Sequence, residues 1–234
     1  MTLISNEMVL KKQKLCQPNV PGDSVTGSDS EASFNPDKIR FDHVLSLAAS
    51  LPSAARHNLL HALVRPIQSD YLLAVAADGQ DARPTLDERQ FFFQSLFDYI
   101  SFEQLSHQKL MPEEYPLSLA TDMVLPWPWS MNSYKGCLSI GSQQGNPWQF
   151  DDSNHVVVLW LPWRIGFVKG GNHSLAAGIL AGEGTLLPDR VFDMQELLRR
   201  VSTDGVWWYA DESHLEKVRD WRTAAFFELG RLIN

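Results

Sequence analysis

No run of apolar residues in this 234-residue chain reaches the roughly 18–20 positions that a membrane-spanning helix requires. The longest, HVVVLWLPW from His155 to Trp163, is too short and is interrupted by Pro162. At the N-terminus, MTLISNEMVLKKQKLC places its lysines after its apolar residues. A secretory signal has the reverse order, so no signal peptide is expected. Cysteine is scarce. Cys16 and Cys137 lie too far apart for a zinc motif and are too few for a disulfide framework. Cys137, in SYKGCLSIG, is read as an incidental thiol rather than a nucleophile. Basic charge is also short. The formal net charge is −8, and the longest basic cluster is KKQK, near the N-terminus. A protein that covers a nucleic-acid backbone needs clustered Lys and Arg, so general nucleic-acid binding is not expected. There is no internal repeat. A cytoplasmic protein with no membrane segment is the expectation.

Apolar residues make up 44% of the chain, enough for a sizeable core. Residues 1–38 include QPNVPGDSVTGSDSEASFNPDK, which has few core-forming residues and is expected to be a disordered tail. Residues 39–125 are expected to be helical. Val44, Leu45, Leu47 and Leu51 share one face, and Leu59, Leu60 and Leu63 continue after a break at Pro52. YLLAVAA is ambiguous between helix and strand. TLDERQFFFQSLFDYISFEQLSHQKL reads as the clearest helix, with Thr85 and Glu88 as a capping box and Phe92, Leu96, Tyr99 and Ile100 at helical spacing.

Residues 126–234 are expected to form an α/β core with a C-terminal helix. All eight tryptophans lie between Trp127 and Trp221. WPWS reads as a loop because Pro128 blocks regular structure. VVVLWLP and RIGFVKG read as strands, TLLPDRVFD and GVWWYA as further strands, and DMQELLRRV as a short helix. The last helix is expected to run from a capping box at Ser213 and Glu216 to Leu232. The fold class is therefore α+β, a helical N-terminal half packed on a small mixed sheet.

The densest chemical signal is VKGGNHSLAAGILAGEG, Val168 to Gly184. A strand, a glycine turn and a helix start form a recurring anion site, because the first turn of a helix leaves backbone N–H groups unpaired and partly positive. Gly170 and Gly171 let a ligand approach the backbone. Lys169 stands beside the turn as a cation, Ser174 and Asn172 can cap or donate, and His173 can move a proton near neutral pH. The pattern is neither a Walker A loop nor a dinucleotide fingerprint. His57 and His61 are four residues apart on one helix, but Asn58 occupies the place of the Glu in H-E-x-x-H, and no metal is assigned to them. Asp151, Asp152 and His155 in QFDDSNHVVV are read as a polar turn, with binding of a nucleotide's Mg²⁺ as the other reading.

The element VKGGNHSLAAGILAG resembles the strand, Gly-x-His-Arg-type turn and small-residue helix of the ParB/sulfiredoxin-like superfamily. It also resembles uncharacterised bacterial proteins with a Gly-Gly-Asn-His-Ser signature. The resemblance spans about 60 residues, from the strand near His155 to about Trp208. It implies a ParB/sulfiredoxin-like core that binds nucleotide phosphates at Lys169, Gly170, Gly171 and Ser174. Were the site catalytic, His173 would be its acid/base and Asn172 its orienting or oxyanion donor, with Mg²⁺ brought by the nucleotide. Ser174 stands where the superfamily has an arginine, whose bidentate phosphate contact Ser does not supply. The alternative expectation is a non-enzymatic regulator or inhibitor that engages a protein partner through its acidic surface and the aromatic loop around Trp127 and Trp129. A nuclease or DNA-binding role ranks last on charge.

Overall fold

A computed structural model of the protein describes residues 34–94, 96–99 and 110–233. Cys16 and Ile100 lie outside them, as do the other residues of 100–109 and nearly all of the expected tail. The chain divides by contacts into Met1–Phe34 and Asn35–Asn234, and the second unit contains the fold. The first helix begins earlier than expected, because Asn35 caps it, its Oδ1 accepting from the amides of Asp37 and Lys38.

That helix, α1, spans Pro36–Ser50, and α2 spans Ser53–Ala77 after the break at Pro52. YLLAVAA is the end of α2, which runs on past an internal Pro66. Short pieces follow, α3 at Leu96–Tyr99, β1 at Leu117–Ser118, β2 at Met123–Leu125 and α4 at Met131–Cys137. The centre of the fold is β3, Val156–Leu161, then β4, Ile165–Gly170, then α5, Asn172–Ala181. The remainder comprises β5 (Thr185–Leu186), β6 (Arg190–Asp193), α6 (Gln195–Arg200), β7 (Val201–Thr203), β8 (Trp207–Ala210), β9 (Ser213–Lys217) and α7 (Trp221–Leu229).

The main sheet has the order β2-β4-β3-β6. β3 and β4 form an antiparallel hairpin, β2 runs parallel to β4, and β6 runs parallel to β3. Both faces are covered, which explains the unbroken apolar run VVVLWL. One face carries Val158, Trp160, Ile165, Phe167 and Phe192 into a core shared with α1, α2 and α7. The other carries Val157, Leu159 and Val168 against Leu175 of α5. β1 pairs with β5, and β7-β8-β9 make a separate meander. The result is a mixed α+β fold in which helices from the first half and strands from the second fill one core.

The structure corrects five readings. Thr85 and Glu88 form no capping box. Instead Asp87 caps a 3₁₀ turn, Glu88–Gln90, and the expected long helix is helical only at Leu96–Tyr99 among the described residues. Adjacent Phe92 and Phe93 are both buried, and their packing with Trp163, Phe227 and Trp208 overrides the helical spacing. Ser213 to Lys217 is strand β9, whose His214 packs on Trp207 and Tyr209, and the last helix starts at Trp221 with Asp220 as its cap. The sheet also begins before residue 126, because β2 lies within the stretch expected to be helical. Leu47 is 49% exposed rather than part of the buried face, where Phe41 and Ala48 stand. Helix α4 went unforeseen, although Ser130 caps it by accepting from the Ser133 amide.

Trp163, at the turn of the β3–β4 hairpin, ties the two halves together. It is 1% exposed, packs on Phe92, Phe226 and Phe227, and donates from its indole to the Phe227 carbonyl at 3.1 Å. Trp163→Ala is expected to cost about 3–5 kcal/mol of stability in urea unfolding. A loss under about 1 kcal/mol would contradict this central place.

Candidate functional site

The turn from β4 into α5 is shaped by what packs beneath it. Gly171 is the residue before the helix and has φ +76°. A Cβ there would lie 2.6 Å from His155 Cδ2, and one on Gly170 would lie 2.6 Å from the Asn154 carbonyl oxygen. Both glycines are thus required by the closure of the Asp151–His155 turn against them. That turn is internally bonded. The His155 amide donates to the Asp151 carbonyl at 2.8 Å, Ser153 donates to the Asp151 carboxylate, and the Asp151 amide donates to His155 Nδ1 at 3.0 Å. The side chain of Asp151 is therefore engaged, and its pKa is lowered chiefly by the Ser153 hydroxyl.

The polar side chains of the motif reach sideways. Asn172 Oδ1 accepts from the Trp127 amide at 2.8 Å. His173 Nε2 accepts from the Ser130 amide at 3.1 Å and the Trp129 amide at 3.3 Å, and its ring meets the Trp129 ring edge-on at 5.2 Å. The Ser174 carbonyl accepts from the Trp148 indole at 2.8 Å. Asn172 and His173 thus clamp the loop PWPWS. Accepting two amides requires a lone pair on Nε2, which places the ring proton on Nδ1. Burial lowers the His173 pKa, and the charge of Arg83 adds to that, so the ring is neutral around pH 7.

Lys169 is not brought to this turn. It pairs with Glu88 and borders a cleft of about 340 Å³ floored by Val158, Trp160 and Phe192, on the sheet face opposite α5. Of the six residues expected to act together, the structure gathers five at the turn and directs the cation elsewhere. The first turn of α5 itself has no side-chain cap, and among the described residues no side chain accepts from the amides of Asn172, His173 and Ser174.

One residue here went unread in the sequence. Arg83, in the connection after α2, stacks its guanidinium over Trp127 at 5.3 Å. Its Nε is shielded from solvent and has no hydrogen-bond partner among the described residues. His155 Nε2 is likewise buried and without a partner. No signal in the sequence joined Arg83 to a motif so far along the chain. Of the other candidates, His57 Nδ1 sits on the Ser53 carbonyl, and no group of three metal-ligating side chains stands together among the described residues. The Cys137 thiol is buried and its pKa is pushed up to about 11 by burial, which makes it a poor nucleophile.

Residues 37–234 match a family of unknown function, DUF6710, and the chain belongs to that family. No curated protein and no solved structure shows significant similarity to it.

The clamp sets a pH dependence. Burial lowers the pKa values of His61, His155 and His173 below the ordinary 6.5. As pH falls through about 6.5 the unfolded chain takes up protons first, so stability is full above that value and declines toward the lowered folded values. His173→Gln keeps an acceptor but does not titrate, and is expected to flatten the stability profile between pH 7 and 5. An unchanged slope would exclude the clamp as one of its sources. Asn172→Ala is expected to cost about 1–3 kcal/mol at pH 7, because the part-buried Trp127 amide loses its acceptor.

Proposed function

We infer that the protein binds a phosphate-bearing small molecule, a nucleotide foremost, at the start of α5, and does so without hydrolysing it. The carrying observation is the uncapped first turn of a ten-residue helix whose own polar side chains are turned away to hold a neighbouring loop. Its first-turn amides receive no side-chain cap, and a helix start of this kind favours an anion. The likeness to the ParB/sulfiredoxin-like element is supported by the succession of hairpin, glycine turn, small-residue helix and returning strand β6. The half-exposed Trp129 offers a flat apolar surface next to the turn for a base to stack on.

Hydrolysis is left out of this reading for a chemical reason. The His173 lone pair is occupied by two backbone amides, so the ring is a fastening rather than a proton acceptor for substrate. Any Mg²⁺ in this reading arrives with the nucleotide's phosphates.

A second reading, a non-enzymatic protein that engages a protein partner, is favoured by Trp129 alone. It is 50% exposed on a loop fixed at Trp127, Trp129 and Ser130, which is how a pre-organised contact residue is presented. Thermal unfolding with phosphate, pyrophosphate and nucleotides, with and without Mg²⁺, separates the two. A ligand at a hundredfold excess over its Kd is expected to add about 2.7 kcal/mol of stability and raise the midpoint. No shift with any of them would overturn the phosphate reading in favour of the second.

A further inference from the structure

The sheet face that looks away from α5 is apolar along β4 until Lys169. Ile165 and Phe167 enter the main core, and alternation puts Lys169 on the same face. Lys169 is also the extra residue of a bulge, because Val157 pairs with Val168 and Val156 with Gly170. A bulge re-aims the side chain it carries. Here it sets an ammonium at the margin of the cleft of about 340 Å³. We propose that this cleft binds a free aromatic α-amino acid, its charged head held by Lys169 and Glu88 and its ring laid on the apolar floor.

The lining is sorted into that floor and two ion pairs. β3 supplies Val156 and Val158, with Trp160 and Phe192 beyond them. Lys169 pairs with Glu88 on the β4 side, and Arg190 with Asp189 at 3.3 Å on the β6 side. β3 lies between β4 and β6. Lys169 and Arg190 are therefore rooted two strand spacings, about 10 Å, apart. Two carboxylates in the lining oppose a phosphate, and two cations oppose a simple amine. A ligand with one charge of each sign and an apolar body complements both. The volume lies near the lower end of the roughly 300–1,000 Å³ of small-molecule sites, which suits a single amino acid.

Of the two pairs, Lys169 and Glu88 are the better placed to take the head. The Glu88 side chain is 13% exposed, whereas that of Asp189 is 49% exposed. Glu88 opens the 3₁₀ turn that Asp87 caps. That turn is anchored to the sheet by the residues after it, with Phe91 edge-on to Phe167 at 5.3 Å and Phe92 buried. The rings hold the turn in place, so the ion pair is not needed as its fastening. Lys169 donates to Glu88 Oε1, and Oε2 accepts from no group among the described residues. An ammonium carries three donors. The ligand's ammonium can therefore bond Glu88 Oε2, while the remaining Lys169 N–H groups take its carboxylate.

The test uses the full chain and calorimetric titration with L-phenylalanine and L-tryptophan. Each is compared with its analogue lacking the ammonium (3-phenylpropanoate, 3-indolepropanoate) and its analogue lacking the carboxylate (phenethylamine, tryptamine). At least one amino acid is expected to bind, and loss of either charge is expected to weaken it about tenfold or more. A wild type that binds neither amino acid, or that binds an analogue as tightly, would overturn the proposal. Lys169→Met is expected to weaken binding about tenfold by removing the partner of the carboxylate. Val156→Phe fills the cleft from β3 with both ion pairs intact, and is expected to abolish binding while keeping the ligand-free midpoint. Unchanged affinity in either variant would place the amino acid elsewhere and overturn the site. Should Lys169→Met melt too low to titrate, Val156→Phe decides alone. The cleft and the start of α5 lie on opposite faces of the sheet, so the outcome is independent of the phosphate reading.

Discussion

Residues 170 and 171 must have no Cβ, and the arrangement around α5 depends on that. With bare backbone there, the Asp151–His155 turn closes directly onto the β4–α5 junction, and Gly171 takes the left-handed conformation that swings the chain into the helix. The closure seats His155 under the helix start and stacks it on Trp148 at 5.1 Å. Trp148 in turn bonds the Ser174 carbonyl. On the opposite flank Asn172 and His173 hold the tryptophan loop. One helix start thus fastens two loops, and it is itself fixed by the hairpin whose corner residue, Trp163, is sunk in the main core.

The division of labour within the motif follows. Side chains build, and the backbone amides are left over. A reading that gives every polar residue in GGNHS a chemical role treats them as equals, whereas their hydrogen bonds sort them. Asn172 and His173 are acceptors for neighbouring amides, the glycines are clearances, and Ser174 engages through its carbonyl. The guanidinium of Arg83 stacks on one of the loop's own tryptophans, Trp127.

The sequence displayed the core of this arrangement because its signals are local. The β-branched run at Val156 marks a strand buried on both faces, and Gly170 and Gly171 followed by small residues mark a turn into a closely packed helix. Long-range facts were hidden. Lys169 stands next to the turn in sequence, yet its strand presents it to the other face and to Glu88. Arg83 stands far from the turn in sequence, yet stacks on Trp127, whose amide bonds Asn172. Phe92 and the residues after it carry a helical spacing that the packing of Phe92 and Phe93 overrides. Ser213 and Glu216 spell a capping box on what is an edge strand of a meander, because a short motif does not know its neighbours. The true cap, Asp220, lies a few residues on and is as ordinary a signal as the false one.

Amide-resolved NMR during addition of pyrophosphate tests most directly whether the start of α5 faces the ligand. The expected result is a saturating shift concentrated at the backbone amides of Asn172, His173 and Ser174, with Lys169 on the opposite sheet face unmoved. Unchanged signals at the start of α5, or a response centred on Lys169 and Glu88, would contradict it.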